Sequence, residues 1–356
     1  MIKEEEVTFS KVGKNFFYPN FLFIFAITCL PRFPLEQRAQ GKLFTFMAMS
    51  KVPFTKPALT YAGQIQQLKD RGLIIEDERK AVHLLEVISY FRLSGYWYPL
   101  LADKKSHRFK SDATFDTAFS IYKFDRELRL LVLRELEKIE VAVRAKMIYV
   151  LSHSRGIFWY LDSSNFSKPV KHAETLTKIG VEYSRSDEEF VQSFRKNYSN
   201  PMPPSWMMLE LSSFGVLSSL YSYLSPGKDK REIANFFGLS DSVLSSWLHS
   251  IVYLRNVCAH HSRLWNREMR IQPVIPRKPH NPFIRQTTYN CPMSGLKLPL
   301  NNKTYFILSM VVYLMNIINS RHSIQQKLKD LLANYPNIDL HAMGFPANWQ
   351  SEPLWQ

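Results

Sequence analysis

From residue 60 onward, apolar side chains recur at spacings of three and four residues, the period of a helix packed by one face. Gln64–Arg71 reads as a short amphipathic helix closed by Gly72, and Glu78–Leu93 repeats the pattern. The longest stretch lies within Phe115–Leu151. There Phe124, Leu128, Leu131, Ile139, Val143 and Met147 keep the period, and neither glycine nor proline intervenes. A proline-rich break at residues 199–206 precedes a helical pattern over Trp206–Leu224, a loop at Ser225–Lys230 and a further pattern over Arg231–Leu239. Ser240 or Asp241 then caps a helix running to about His260. Residues 271–303 carry several prolines and read as extended loop. Thr304–Asn319 is apolar nearly all round and contains polar Asn316; at this length it reads as a buried core helix, not a membrane span. The pattern predicts an all-α fold.

Composition adds one departure from the ordinary. A chain of 356 residues makes one large domain or two smaller ones, and 46% hydrophobic with 22% charged residues is the balance of a globular protein. The 46 Lys+Arg against 31 Asp+Glu give a formal charge of +15. A field of that sign attracts polyanions and speeds their encounter, so nucleic acid is the leading partner class. Cys29, Cys258 and Cys291 are too few and too scattered for a disulfide framework or a zinc site, which fits a reducing cytoplasm. Residues 1–46 read as an extension. Phe16–Leu30 is apolar and follows Lys11 and Lys14 like the opening of a signal peptide, but Pro19 and Asn20 interrupt it and no small-x-small cleavage site follows. The expected domain is residues 47–356, with translation starting at Met47 or Met49 and no membrane partner.

Candidate chemistry concentrates in Trp247–Arg267, WLHSIVYLRNVCAHHSRLWNR. Arg255 is the one arginine in the chain with a histidine five to seven positions downstream, at His260 and again at His261. At 100° per residue, Val243, Leu244, Trp247, Ile251, Leu254 and Cys258 form an apolar stripe, and His249, Tyr253, Asn256 and His260 gather opposite it. Arg255 sits about 140° from His260, at the border of the apolar face, so its side chain must wrap round to share a site. Such a trio suits metal-independent RNA cleavage. An imidazole can move protons at the ribose 2′-OH or the leaving 5′-oxygen, a guanidinium can bind the phosphate at two points, and an amide can orient either. The bland alternative makes Arg255 a helix-end ion pair and His260 a helix stop. No metal or other cofactor is expected. Adjacent His260 and His261 do not converge on one ion, and the sequence has no HExxH, paired CxxC, Walker loop, GxGxxG or GxSxG.

The run Leu254–Arg267, LRNVCAHHSRLWNR, resembles the signature of the Abi-like family, the AbiD and AbiF group of abortive-infection proteins. Gln67–Ile75, Ile88–Leu100, Tyr122–Arg129, Ile139–Arg144, Trp206–Gly215 and the tail Met343–Trp355 are similar to that family in order and spacing. The likeness covers about residues 57–356 and leaves residues 1–46 outside. It implies a HEPN-like helical bundle with additional helices, and an Arg-Asn-x-x-x-His catalytic motif formed by Arg255, Asn256 and His260. With one motif per chain, the resemblance also implies a homodimer whose motif helices face each other across a two-fold axis. Arg263, Arg267 and Arg270 are candidates for contacting RNA phosphates, either of a substrate or of a small non-coding RNA antitoxin. The alternative implied by the same family is a catalytically inactive, regulatory HEPN module that binds a structured non-coding RNA.

Overall fold

Thr114 opens the longest element: its hydroxyl accepts the Thr117 amide at 3.0 Å, and the helix that follows, α4 (Phe115–Arg155), runs 41 residues without glycine or proline. At 1.5 Å per residue it extends roughly 60 Å. Asp116 in its first turn and His153 and Arg155 in its last match the helix dipole, and Gly156 at φ 86° ends it. The computed structural model describes residues 53–290 and 295–356. The 1–46 extension with its apolar Phe16–Leu30 stretch, and Cys29 and Cys291, therefore lie outside the described residues. Of the described residues, 57–290 and 296–356 form one compact unit.

Around α4 the chain lays eleven further α-helices among the described residues: α1 (Tyr61–Asp70), α2 (Glu78–Ile88), α3 (Tyr90–Trp97), α5 (Pro169–Arg185), α6 (Glu189–Asn197), α7 (Ser205–Leu211), α8 (Phe214–Tyr223), α9 (Lys228–Phe236), α10 (Asp241–Ala259), α11 (Thr304–Ile318) and α12 (Ile324–Asn334). Two short antiparallel hairpins complete it, β1 (Leu101–Asp103) with β2 (Arg108–Phe109) and β3 (Thr288–Asn290) with β4 (Lys297–Pro299). The class is all-α, as the periodicity predicts. A smaller core joins α1, α2, α3 and the start of α4 around Leu68, Leu85, Trp97 and Phe115. The main core takes the rest of α4, from Ile121 to Leu151, and packs it against α7 to α12.

Three segments read as continuous or extended are divided more finely. Glu78–Leu93 breaks at Ser89, whose φ of 80° turns the chain between α2 and α3 while its hydroxyl meets the Arg92 amide at 3.4 Å. Trp206–Leu224 breaks at Ser212–Ser213, and the 271–303 loop includes β3 and β4. The helix expected at Arg231–Leu239 lies at Lys228–Phe236, shortening the preceding loop. α11 is buried from Thr304 to Met315 and packs along α4, as its apolar circumference requires, while Asn316 at its end is exposed. Among the described residues no helix is long and apolar enough to cross a membrane.

Candidate active site

The motif helix is built as its pattern dictates. Ser240 caps α10, its hydroxyl 3.4 Å from the Val243 amide, and Asp241 occupies the first turn. Val243, Leu244, Trp247, Ile251, Leu254 and Cys258 are all buried, and the Trp247 indole donates to the Val274 carbonyl at 2.9 Å. The opposite side faces solvent: His249, Asn256 and His260 are exposed, with Tyr253 half-buried beside them. Arg255 is exposed as well, and its Nη1 donates to the Asn256 side-chain oxygen at 3.5 Å.

The helix ends inside the motif. His260 is its last half-turn residue, the His261 amide donates to the Cys258 carbonyl at 3.1 Å, and the Ser262 amide donates to Val257 at 2.9 Å. That pair of bonds is the Schellman arrangement, which needs a left-handed residue at its second position. His261 fills it at φ 55°, where glycine is the usual choice. The two adjacent histidines thus have different backbone duties. His260 stays in register with Asn256 on the exposed side, and His261 makes the turn.

Glu140 and Arg144, one turn apart on α4, pair at 2.8 Å, and both are largely buried. Arg144 also reaches the Ser212 carbonyl at 3.2 Å and Glu210 at 3.4 Å, which ties α4 to the α7–α8 turn. Burial pushes the Glu140 carboxyl up, while the positive charges of Arg144 and Arg255 pull it back. Glu140 is therefore the acidic neighbour of the motif arginine.

Sequence reasoning missed the clamp on the segment after α10. Asp125, fully buried on α4, accepts the Leu264 and Trp265 amides at 3.0 and 2.5 Å on one oxygen. Its other oxygen takes the Tyr96 hydroxyl at 2.7 Å and an ion pair from buried Arg129. Burial raises the Asp125 carboxyl against these partners, yet four donors aimed at two oxygens favour the ionised form. From α3, Arg92 donates to the His261 carbonyl at 2.8 Å and Arg263 returns a bond to the Gly95 carbonyl at 2.5 Å. The signal lay in three of the stretches that carry the family resemblance, Ile88–Leu100, Tyr122–Arg129 and Leu254–Arg267, which meet here.

The three arginines expected to face phosphates divide. Arg263 is turned into the protein toward Gly95. Arg267 donates to the Tyr253 hydroxyl at 3.2 Å and to the Arg263 carbonyl at 2.9 Å, its guanidinium lying over the Tyr253 ring. Arg270 is exposed. Among the described residues no three His, Cys, Asp or Glu side chains are grouped to hold a metal ion, and Cys258 is a buried thiol that burial pushes up to about 12.

No curated protein and no solved structure matches the chain. The Abi-like protein family matches residues 83–266, a span that runs from α2 through the motif and its clamp and leaves Gln67–Ile75 and the Met343–Trp355 tail outside. That span is just over half of the chain, and the chain belongs to the Abi-like family, which supports a role in abortive infection, a phage-defence response.

Proposed function

We propose that the protein is the toxin of such a response, a metal-independent endoribonuclease that cuts single-stranded RNA with Arg255, Asn256 and His260. The observation that carries this reading is the exposure of all three side chains at the solvent-facing end of a helix whose other side is locked in the core. A helix carboxyl end carries partial negative charge and repels phosphate, so attraction must come from a fixed cation. Arg255, held beside Asn256 and balanced by Glu140, has that role. The imidazole of one His260 takes the proton of a ribose 2′-OH, whose oxygen forms a new bond to phosphorus. The bond from phosphorus to the 5′-oxygen breaks, and the 5′-oxygen takes its proton from a second imidazole, the partner's copy of the motif. The products are a 2′,3′-cyclic phosphate and a free 5′-hydroxyl. Guanidinium donors stabilise the charge that gathers on the phosphoryl oxygens. Arg270, and the positive charge of the chain as a whole, draw the RNA in.

The test is incubation of end-labelled RNA with purified protein in EDTA. Wild type is expected to yield fragments ending in 2′,3′-cyclic phosphate, and His260→Ala or Arg255→Ala to lose activity by about two orders of magnitude or more. Full activity in both variants sinks the reading. RNA bound at equal affinity and never shortened favours the regulatory binding module instead.

A further inference from the structure

Beside the motif, α5, α8 and α10 enclose an open cleft of about 560 Å³. A volume in this range holds a small ligand or one nucleotide. The α10 wall is His249 and Val252, so the cleft opens on the same side of the helix as the motif. At 100° per residue, His249, Asn256 and His260 fall within about 40° of one another, and about 16 Å of helix axis separates the first from the last. A strand of RNA laid along that row with its scissile phosphate at His260 carries a neighbouring nucleotide to the cleft.

The cleft's chemistry is that of a base pocket. Its inner surface offers Val252 and the bare backbone of Gly215, where an added Cβ meets nothing nearer than the Ser213 hydroxyl at 3.8 Å and Val252 at 3.9 Å. A flat ring can lie there. Among the lining residues is Glu182 of α5: burial pushes its carboxyl up, Ser213 donates to the carboxylate and pulls it back, and Oε2 is buried with no donor of its own among the described residues. A buried acceptor without a donor is costly, and a ligand that brings N–H groups removes the cost. Lys178, one turn back on α5, and His249 across the gap supply donors at the mouth. A buried acceptor with exposed donors beside it suits a nucleotide that enters base first.

We propose that the α5–α8–α10 cleft is the specificity subsite of the same RNA-cutting site, seating a guanine that flanks the scissile phosphate. Guanine alone among the four bases presents two adjacent donors, N1–H and the 2-amino group, to a carboxylate. Adenine and cytosine offer one amino group beside a ring acceptor, and uracil sets its single N–H between two carbonyl oxygens. Glu182 reads the donor pair, and Lys178 and His249 hold the ribose-phosphate.

The inference rests on the cleavage reading, and its test separates the two. Short single-stranded RNAs that differ at one position, guanine, inosine or uracil, are offered to wild type, Glu182→Gln and Gly215→Leu, each checked for folding by circular dichroism. Wild type is expected to cut beside guanine about tenfold faster than beside inosine or uracil, the discrimination typical of a bidentate base contact. Glu182→Gln erases that preference. Gly215→Leu, which adds bulk on the α8 wall beside Val252, raises KM about tenfold and leaves kcat near wild type. His260-dependent cleavage with no base preference, or with a preference both variants keep, overturns the subsite and leaves the nuclease standing. Should no RNA be cut at all, anisotropy with the same oligonucleotides decides: guanine-dependent binding lost in Glu182→Gln upholds the cleft, and indifferent binding overturns it.

Discussion

Two neighbouring histidines stand at the motif to which the proposed cleavage assigns a proton carrier, and the backbone separates them. His261 occupies a left-handed position that an L side chain enters at a cost of about 1 kcal/mol, and its carbonyl is fixed by Arg92. His261→Gly keeps that carbonyl and removes the steric cost, although glycine gives back part of the gain as unfolded-state entropy. The expected result is a protein unchanged in stability or steadier by less than about 1 kcal/mol in thermal unfolding, with RNA cleavage retained. His260→Ala, at an exposed helix end, is expected to leave stability within about 0.5 kcal/mol and remove cleavage. The opposite pattern, activity lost with His261 and kept without His260, transfers the proton-handling role to the turn residue.

The elements around the motif are held by one buried charge pair more than by any surface contact. Asp125 and Arg129 sit one turn apart on α4, and through Asp125 the spine fastens both the end of α3, by Tyr96, and the chain leaving α10, by two amides. Asp125→Ala strands the Arg129 charge, 5% exposed, together with three donors. Removing one partner of such a pair costs on the order of 3–5 kcal/mol. Denaturant unfolding should show that loss, and the double variant Asp125→Leu with Arg129→Met should recover part of it. A loss below about 1 kcal/mol for Asp125→Ala means the clamp is not what holds these elements. Helix existence was legible where apolar stripes repeat, as in α4 and α10, and in α11 from an unbroken apolar run of helical length. The breaks at Ser89 and Ser212–Ser213 were not, since a one- or two-residue turn barely shifts the phase of the stripe on either side. The motif's exposed face was legible for the same reason as the helix. The clamp was hidden because Asp125 and Arg129 look on paper like the Glu140–Arg144 pair, a spacing that surface helices use freely. Only the fold distinguishes a fully buried aspartate from a solvated one.

At the scale of the whole molecule, the proposed cleavage asks a chain with a single motif to supply two proton carriers to one phosphodiester. One His260 cannot be both base and acid in the same step, and on the helical wheel Arg255 starts about 140° from its own His260. A two-fold pairing of α10 with its copy answers both problems, since each cleft then receives an arginine and a histidine from either side. This has a consequence that no monomeric site shares. Wild-type dimers hold two imidazoles, and a mixed dimer of wild type with His260→Ala holds one; such mixed dimers are about half of a randomly assorted population. Co-expressing the two chains under different affinity tags and isolating the doubly tagged species should therefore give cleavage lowered by about two orders of magnitude, since the remaining imidazole has no second proton carrier. If the doubly tagged species keeps half of the wild-type rate, or if sedimentation finds only monomers at working concentration, the shared cleft fails. Arg255 and His260 must then be sought in one chain, with Glu140 and Arg144 the nearest charged groups left to complete it.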